Sequence, residues 1–192
     1  MQNFKFEKTS LEGAYIIKPF LAEDERGFFQ KKFEKNIFYK NGIELNISET
    51  NISKSKKGVV RGLHFQTKYP QVKLVGVDFG RIFDVIVDLR KDSKTYGKWE
   101  GFELSDENKS LLYVPKGFAH GFIAFSEIAI VSYLCDGEYL KDYDSGILWS
   151  DMDLNIDWKL ENIGGINNVI ISEKDKKMQS FREYSRKIGV NL

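Results

Sequence analysis

Two histidines are all that this 192-residue chain carries, and each stands in a short segment bounded by turn residues. His64 lies in Arg61-Gly62-Leu63-His64-Phe65-Gln66, and His120 in Pro115-Lys116-Gly117-Phe118-Ala119-His120-Gly121-Phe122. An imidazole titrates near neutrality and so moves protons at physiological pH. A transition-metal centre needs several imidazole or carboxylate ligands converging on one point, so two histidines argue against one. Acid–base chemistry needs fewer groups, and that is the chemistry these residues suit.

Composition narrows the partners. The 29 basic and 28 acidic residues leave a net charge of +1, so no overall field draws the chain to nucleic acid or to a membrane surface. The lone Cys135 has no internal disulfide partner, the amino terminus lacks a signal-peptide pattern, and no apolar run approaches membrane-spanning length. A cytoplasmic protein is expected. The length and the 42% hydrophobic content suit a single domain spanning 1–192.

The elements that must position the histidines read as strands. β-branched and aromatic runs recur at Ala14–Lys18, Gly27–Phe33, Val59–Phe65, Val72–Asp78, Ile82–Leu89, Trp99–Leu104, Leu111–Val114, Gly121–Phe125 and Ile128–Leu134. Glycines and polar clusters separate them, and no βαβ alternation is present, so a barrel or sandwich is expected rather than a parallel nucleotide-binding sheet. Helices are expected only near Lys35–Lys40 and Lys176–Lys187. Residues 136–170 read as irregular, with Trp149 and Trp158 closing one end of the barrel, and Lys54-Ser55-Lys56-Lys57 reads as a solvated turn. Period-2 parity puts Phe83, Val85, Val87 and Leu89 on one face and Ile82, Asp84, Ile86 and Asp88 on the other, which implies a barrel lumen that is not wholly apolar. The plainer reading is that one of the aspartates caps a turn or pairs with Arg90.

Pro115-x-Gly117-x-x-His120 matches the second short motif of the cupin barrel, a double-stranded β-helix, although the first motif's His-x-His pair is missing around His64. A more specific resemblance runs in order along the chain: Asp24-Glu25-Arg26-Gly27-Phe28-Phe29, Arg61 to Gln66, Pro70-Gln71-Val72-Lys73, Phe83 to Arg90, Gly117 to Phe122, and Ser172-Glu173-Lys174-Asp175. Together these segments resemble the dTDP-4-dehydrorhamnose 3,5-epimerase family. The resemblance implies an all-β cupin-type jelly roll acting, without a cofactor, on a nucleotide-diphospho-4-keto sugar. It also implies a homodimer in which an amino-terminal strand crosses to the partner, so that Arg26 and Lys31 serve the other subunit's site.

By that resemblance His64 is the base, Asp175 orients its imidazole, Lys73 sits at the enolate oxygen, and Tyr133 returns a proton from the opposite face. His120 lies near the substrate, with Asp84 fixing its tautomer or pairing with Lys73. Arg26, Asn51, Arg61, Lys174 and Asp144 hold the diphosphate and nucleoside, Asp144 shortening the usual glutamate. Arg61 and His64 are three apart and face oppositely in a regular strand, so either Gly62 marks a bulge or Arg61 is structural or reaches a neighbouring subunit. Departures cluster on the nucleoside side: Lys31 for a glutamate, Glu49 for a glutamine, and Glu138 where a base-stacking aromatic is usual, with Tyr139 next to it. A carboxylate at Glu49 or Glu138 suits the amino group of guanine or cytosine, so GDP- or CDP-linked sugars, heptoses included, stand as alternatives to dTDP. A non-catalytic sugar-binding barrel of the same fold is the rival from another class.

Overall fold

A computed structural model of the chain describes residues 3–190. In chain order it runs β1 (Lys5–Lys8), β2 (Tyr15–Lys18), β3 (Phe20–Asp24), β4 (Gly27–Lys31), α1 (Lys35–Lys40), β5 (Ile47–Lys56), β6 (Val60–Gln66) and β7 (Val72–Phe79). It continues with β8 (Arg81–Asp88), β9 (Trp99–Ser105), β10 (Leu111–Val114), β11 (Phe118–Ala124), β12 (Ile128–Asp136), β13 (Asp144–Gly146) and α2 (Phe181–Lys187). One sheet has the order β1-β2-β10-β7-β12-β5 and the other β13-β6-β11-β8-β9, while β3 and β4 pair as a separate hairpin. From β5 to β8, and again from β10 to β13, each successive strand falls in the opposite sheet. That antiparallel winding is the cupin-type double-stranded β-helix expected from the sequence. No helix among the described residues is long and apolar enough to cross a membrane.

Alternation along the strands sorts the apolar residues into separate cores. Val75, Val77, Ile82, Ile86, Leu112, Val114, Phe118, Phe122, Ala129 and Val131 come from both sheets and fill the lumen between them. The opposite parity of the five-stranded sheet, with Leu63, Phe65, Phe83, Val85, Val87, Ala119 and Ile123, packs under Ile147, Leu154, Trp158, Ile163 and Phe181. The outer face of the six-stranded sheet, including Ile17, Leu74, Leu111 and Tyr113, is covered by Phe38 of α1 with Ile43 and Leu45. The parity of β8 is as the sequence indicates. The two tryptophans do not close a barrel end. The Trp158 indole donates to the Trp149 carbonyl at 2.7 Å, and both rings cover the outer face of the five-stranded sheet, because that face is apolar and must be buried.

Other differences have local causes. Lys54 to Lys56 belong to β5, whose polar sequence hides a strand held by its full ladder with β12; the turn begins only at Lys57. The carboxy-terminal helix begins at Phe181 rather than Lys176. Ser180 caps it, accepting from the Glu183 N–H while the Glu183 carboxylate accepts from the Ser180 N–H, and residues 175–177 form a separate 3-10 turn.

β6 carries the irregularity that matters most. His64 pairs with His120 and Arg61 with Phe122, so three steps along β6 match two along β11, and Gly62 marks a bulge. Gly62 sits at φ +122°, and a Cβ there would lie 2.6 Å from Gly121 Cα and 2.8 Å from the His120 carbonyl oxygen. Gly62→Ala is therefore expected to destabilise the fold by roughly 2–4 kcal/mol, from backbone strain and overpacking together. Urea denaturation checks it: the midpoint must fall with little change in slope.

Candidate active site

The bulge places Arg61 and His64 on one side of β6. The Arg61 guanidinium donates to Ser55 Oγ at 3.0 Å and to the Lys54 carbonyl at 3.2 Å, clasping β6 to β5 across the two sheets. His64 is the half-exposed member of a pair, its side chain 32% exposed against 6% for Asp175. Its Nε2 lies 3.0 Å from Asp175 Oδ1, while Asp175 Oδ2 accepts the Gly62 N–H at 3.2 Å. Burial works to raise the Asp175 carboxyl, but hydrogen bonds from His64, Gly62 and Ser172 hold it below the usual carboxylate range. A carboxylate only accepts, so Nε2 carries the hydrogen and Nδ1 is left basic. His120, its cross-strand neighbour, is buried, with Nε2 2.7 Å from Asp84 Oδ1. The other oxygen, Asp84 Oδ2, is buried and lacks a partner among the described residues.

The six-stranded sheet supplies the opposing groups. Lys73 on β7 is in register with Cys135 on β12 and shares parity with Val75 and Val77, so it faces the lumen. Burial pushes its ammonium below the ordinary lysine range, with Cys135, Asp84 and Asp144 partly offsetting that. Tyr133 packs on the luminal core, its ring 6.3 Å from that of His120 and at 78° to it, with the hydroxyl 3.3 Å from Ser53 Oγ. Burial raises the phenol well above its usual range, outweighing the Ser53 hydrogen bond and the nearby Arg61 charge, so Tyr133 stays protonated. The lumen thus presents an imidazole from one sheet and a phenol and an ammonium from the other.

A single cavity is lined by His64, His120, Lys73, Asp144 and Lys174, with Gln66, Gln71, Phe118 and Tyr139. Asp144 accepts from Lys174 and, at 3.0 Å, from the Tyr139 hydroxyl. Tyr139, not Glu138, provides the aromatic wall. Glu138 is exposed and does not line this cavity; its carbonyl accepts from Gln66 at 3.2 Å. Glu49 and Asn51 share the luminal parity of β5 but do not line this cavity. Asn51 donates to Glu49 at 3.3 Å, and the second Glu49 oxygen accepts the Tyr139 N–H at 2.5 Å.

Arg26 is not brought to the cavity within this chain. It sits at the tip of the β3–β4 hairpin, its side chain 84% exposed and paired with Asp24 at 2.6 Å. Lys31 pairs with Glu34. Gln66 and Gln71 were missed as wall residues, although each lies two positions from an inward residue, His64 and Lys73, and parity alone would have found them.

Residues 8–183 match the sequence model of a family described as dTDP-4-dehydrorhamnose 3,5-epimerase. A protein of that name from Methanothermobacter thermautotrophicus is 52% identical over 183 residues, covering 95% of this chain and 97% of the relative. The crystal structure of a dTDP-4-dehydrorhamnose 3,5-epimerase from Elizabethkingia anophelis superposes with a TM-score of 0.87 at 46% identity, over 94% of this chain and 97% of the other. A dTDP-6-deoxy-D-glucose-3,5-epimerase from Legionella pneumophila, in complex with dTDP-4-keto-L-rhamnose, superposes with a TM-score of 0.90 at 36% identity, over 99% of each chain.

The Asp175–His64 pair carries a pH signature. Because the folded carboxyl titrates below its unfolded value, near 4, its contribution is complete above that pH and is lost as pH falls through the folded value. Asp175→Asn should therefore cost stability at pH 7, and the gap from wild type should close below about pH 4. Chemical denaturation across pH reads this; a gap that widens in acid would contradict it.

Proposed function

The chain belongs to the dTDP-4-dehydrorhamnose 3,5-epimerase family, and on that premise we propose that it inverts C3 and C5 of a dTDP-linked 4-keto-6-deoxyhexose, with His64 as base and Tyr133 as acid. It is an isomerase of the nucleotide-sugar epimerase class. The C4 ketone of such a sugar acidifies the hydrogens at C3 and C5, because either carbanion delocalises onto the C4 oxygen as an enolate. Inversion then needs removal of a proton on one face of the ring and return on the other.

The observation that supports this assignment is that His64 on β6 lines the cavity while Tyr133, on β12 of the opposite sheet, packs on the luminal core with its ring 6.3 Å from that of His120, although Tyr133 itself does not line the cavity. His64 takes the proton at Nδ1, and Asp175 stabilises the imidazolium. Lys73, without a hydrogen-bond partner among the described residues, is the donor that meets the charge developing on the C4 oxygen. Burial lowers its range, and the carboxylates of Asp84 and Asp144 work against that. His120, whose Nε2 is held by Asp84, is a fixed polar wall of the cavity beside it. Tyr133, neutral because it is buried, delivers its proton to the other face. Lys174, Asp144 and Tyr139 at the mouth are the nucleotide side.

The names of the relatives favour the thymidine nucleotide over the guanosine and cytidine alternatives. Glu49 offers no support for those alternatives, since Asn51 and the Tyr139 N–H already occupy its carboxylate. A homodimer completes the site: the hairpin carrying Arg26 also exposes Phe28 and Phe29, 57% and 60% accessible. Ile52 on the edge strand β5, 72% accessible, adds a further exposed apolar residue for such a partner.

Incubating the dTDP-4-keto-6-deoxy sugar in D₂O reads the reaction directly. Deuterium is expected at both C3 and C5; label at one position alone would make the enzyme a mono-epimerase, and no label would refute epimerisation. His64→Ala should lower kcat by about 10²- to 10⁴-fold. Tyr133→Phe should incorporate deuterium faster than it inverts either centre, because the base still works and the return proton does not. Sedimentation at micromolar concentration should find a dimer, and a monomer would end the proposal that Arg26 serves a partner.

A further inference from the structure

The segment Gly137–Leu140 forms the rim of the cavity around Tyr139, yet side chains rather than a β-ladder hold its backbone. The Gly137 N–H donates to Ser48 Oγ at 3.2 Å, and the Gly137 carbonyl accepts from Gln71 at 2.8 Å. Gln66 takes both the Glu138 carbonyl, at 3.2 Å, and the Leu140 N–H, at 2.5 Å. The Tyr139 N–H, at the residue whose ring forms the wall, goes to the Glu49 carboxylate at 2.5 Å. Among these bonds only that one has an ionised partner, and charge-assisted hydrogen bonds are roughly twice as strong as neutral ones.

Glu49 is half-buried on the luminal parity of β5, in register with Cys135 and close enough for its charge to raise that thiol. A carboxylate free to point at a diphosphate would repel it. Here one oxygen holds the Tyr139 N–H and the other the Asn51 amide, so the charge is spent inside the wall. On the far side the Tyr139 hydroxyl donates to Asp144, which also takes Lys174. Tyr139 is thus pinned at its backbone by one carboxylate and at its phenol by another, with 51% of the residue still open to an incoming ligand.

We propose that Glu49 is a positioning residue that latches the Tyr139 wall in the orientation the nucleobase requires and makes no contact with the nucleotide itself. The proposal rests on the dTDP-sugar reading of the site and adds to it a residue that acts through Tyr139.

Titration calorimetry with dTDP, with steady-state kinetics, tests the latch in wild type, Glu49→Ala, Glu49→Gln, Tyr139→Ala and the double variant Glu49→Ala/Tyr139→Ala. Glu49→Ala should weaken dTDP binding about tenfold and raise KM similarly, with kcat changing less than KM. Glu49→Gln, whose amide oxygen still accepts the Tyr139 N–H, should recover to within about threefold of wild type. With Tyr139 already replaced, Glu49→Ala should add less than about twofold, since a residue acting only through Tyr139 has nothing left to position. Wild-type affinity in Glu49→Ala overturns the latch and leaves the nucleotide reading intact. Equal losses in Glu49→Ala and Glu49→Gln, or additive losses in the double variant, overturn it by assigning Glu49 a direct contact. Should Glu49→Ala not fold, Glu49→Gln and Tyr139→Ala decide: wild-type affinity in the latter, or a tenfold loss in the former, overturns the latch. A wild type that binds no dTDP overturns the function and the latch together.

Discussion

The carboxylate of Asp175 joins two parts of the molecule that nothing local would bring together. It comes from a 3-10 turn near the carboxy terminus and reaches the bulge of β6, where one oxygen meets the His64 ring and the other the Gly62 N–H. A buried aspartate is costly unless its charge is matched, and here the donors on β6 match it. The same contact orients the imidazole, selects its tautomer and fixes the turn that precedes α2. Fold and chemistry therefore depend on one interaction.

Two imidazole–carboxylate pairs stand side by side in adjacent strands, and burial gives them different work. His120 and Asp84 are 5% and 0% exposed, whereas the His64 side chain is 32% exposed. A sealed pair serves as a fixed dipole; an open pair is within reach of whatever enters. The residue types are the same, and access decides the roles. Covered outer faces on both sheets let this happen, because strands anchored on two apolar sides can carry polar groups toward the lumen without losing register.

Much of this was legible in the sequence. Alternation along β8 separated Phe83, Val85 and Val87 from Ile82, Asp84 and Ile86, and a glycine between Arg61 and His64 signalled a bulge. β5 was not legible: Ser48, Glu49, Thr50, Asn51 and Ser53 give no hydrophobic alternation, and its strand character comes from pairing with β12. The path of residues 147–170 was hidden for a related reason, since an irregular cover is defined by the face beneath it. The place of Glu49 was legible only in part. Its type suggested a ligand contact, but its partner is a main-chain N–H ninety residues away, and no spacing rule announces such a bond.

The rim formed by Gly137 to Leu140 has a dynamic consequence. Strand pairs in the barrel separate only when whole ladders unzip, and such events cost a large share of the global free energy. A stretch fastened by individual side chains from Ser48, Glu49, Gln66 and Gln71 swings away at a far lower cost, one bond at a time. Opening the mouth therefore requires no ladder to break, and the strands that space the proton-transfer groups behind it are held independently of the rim.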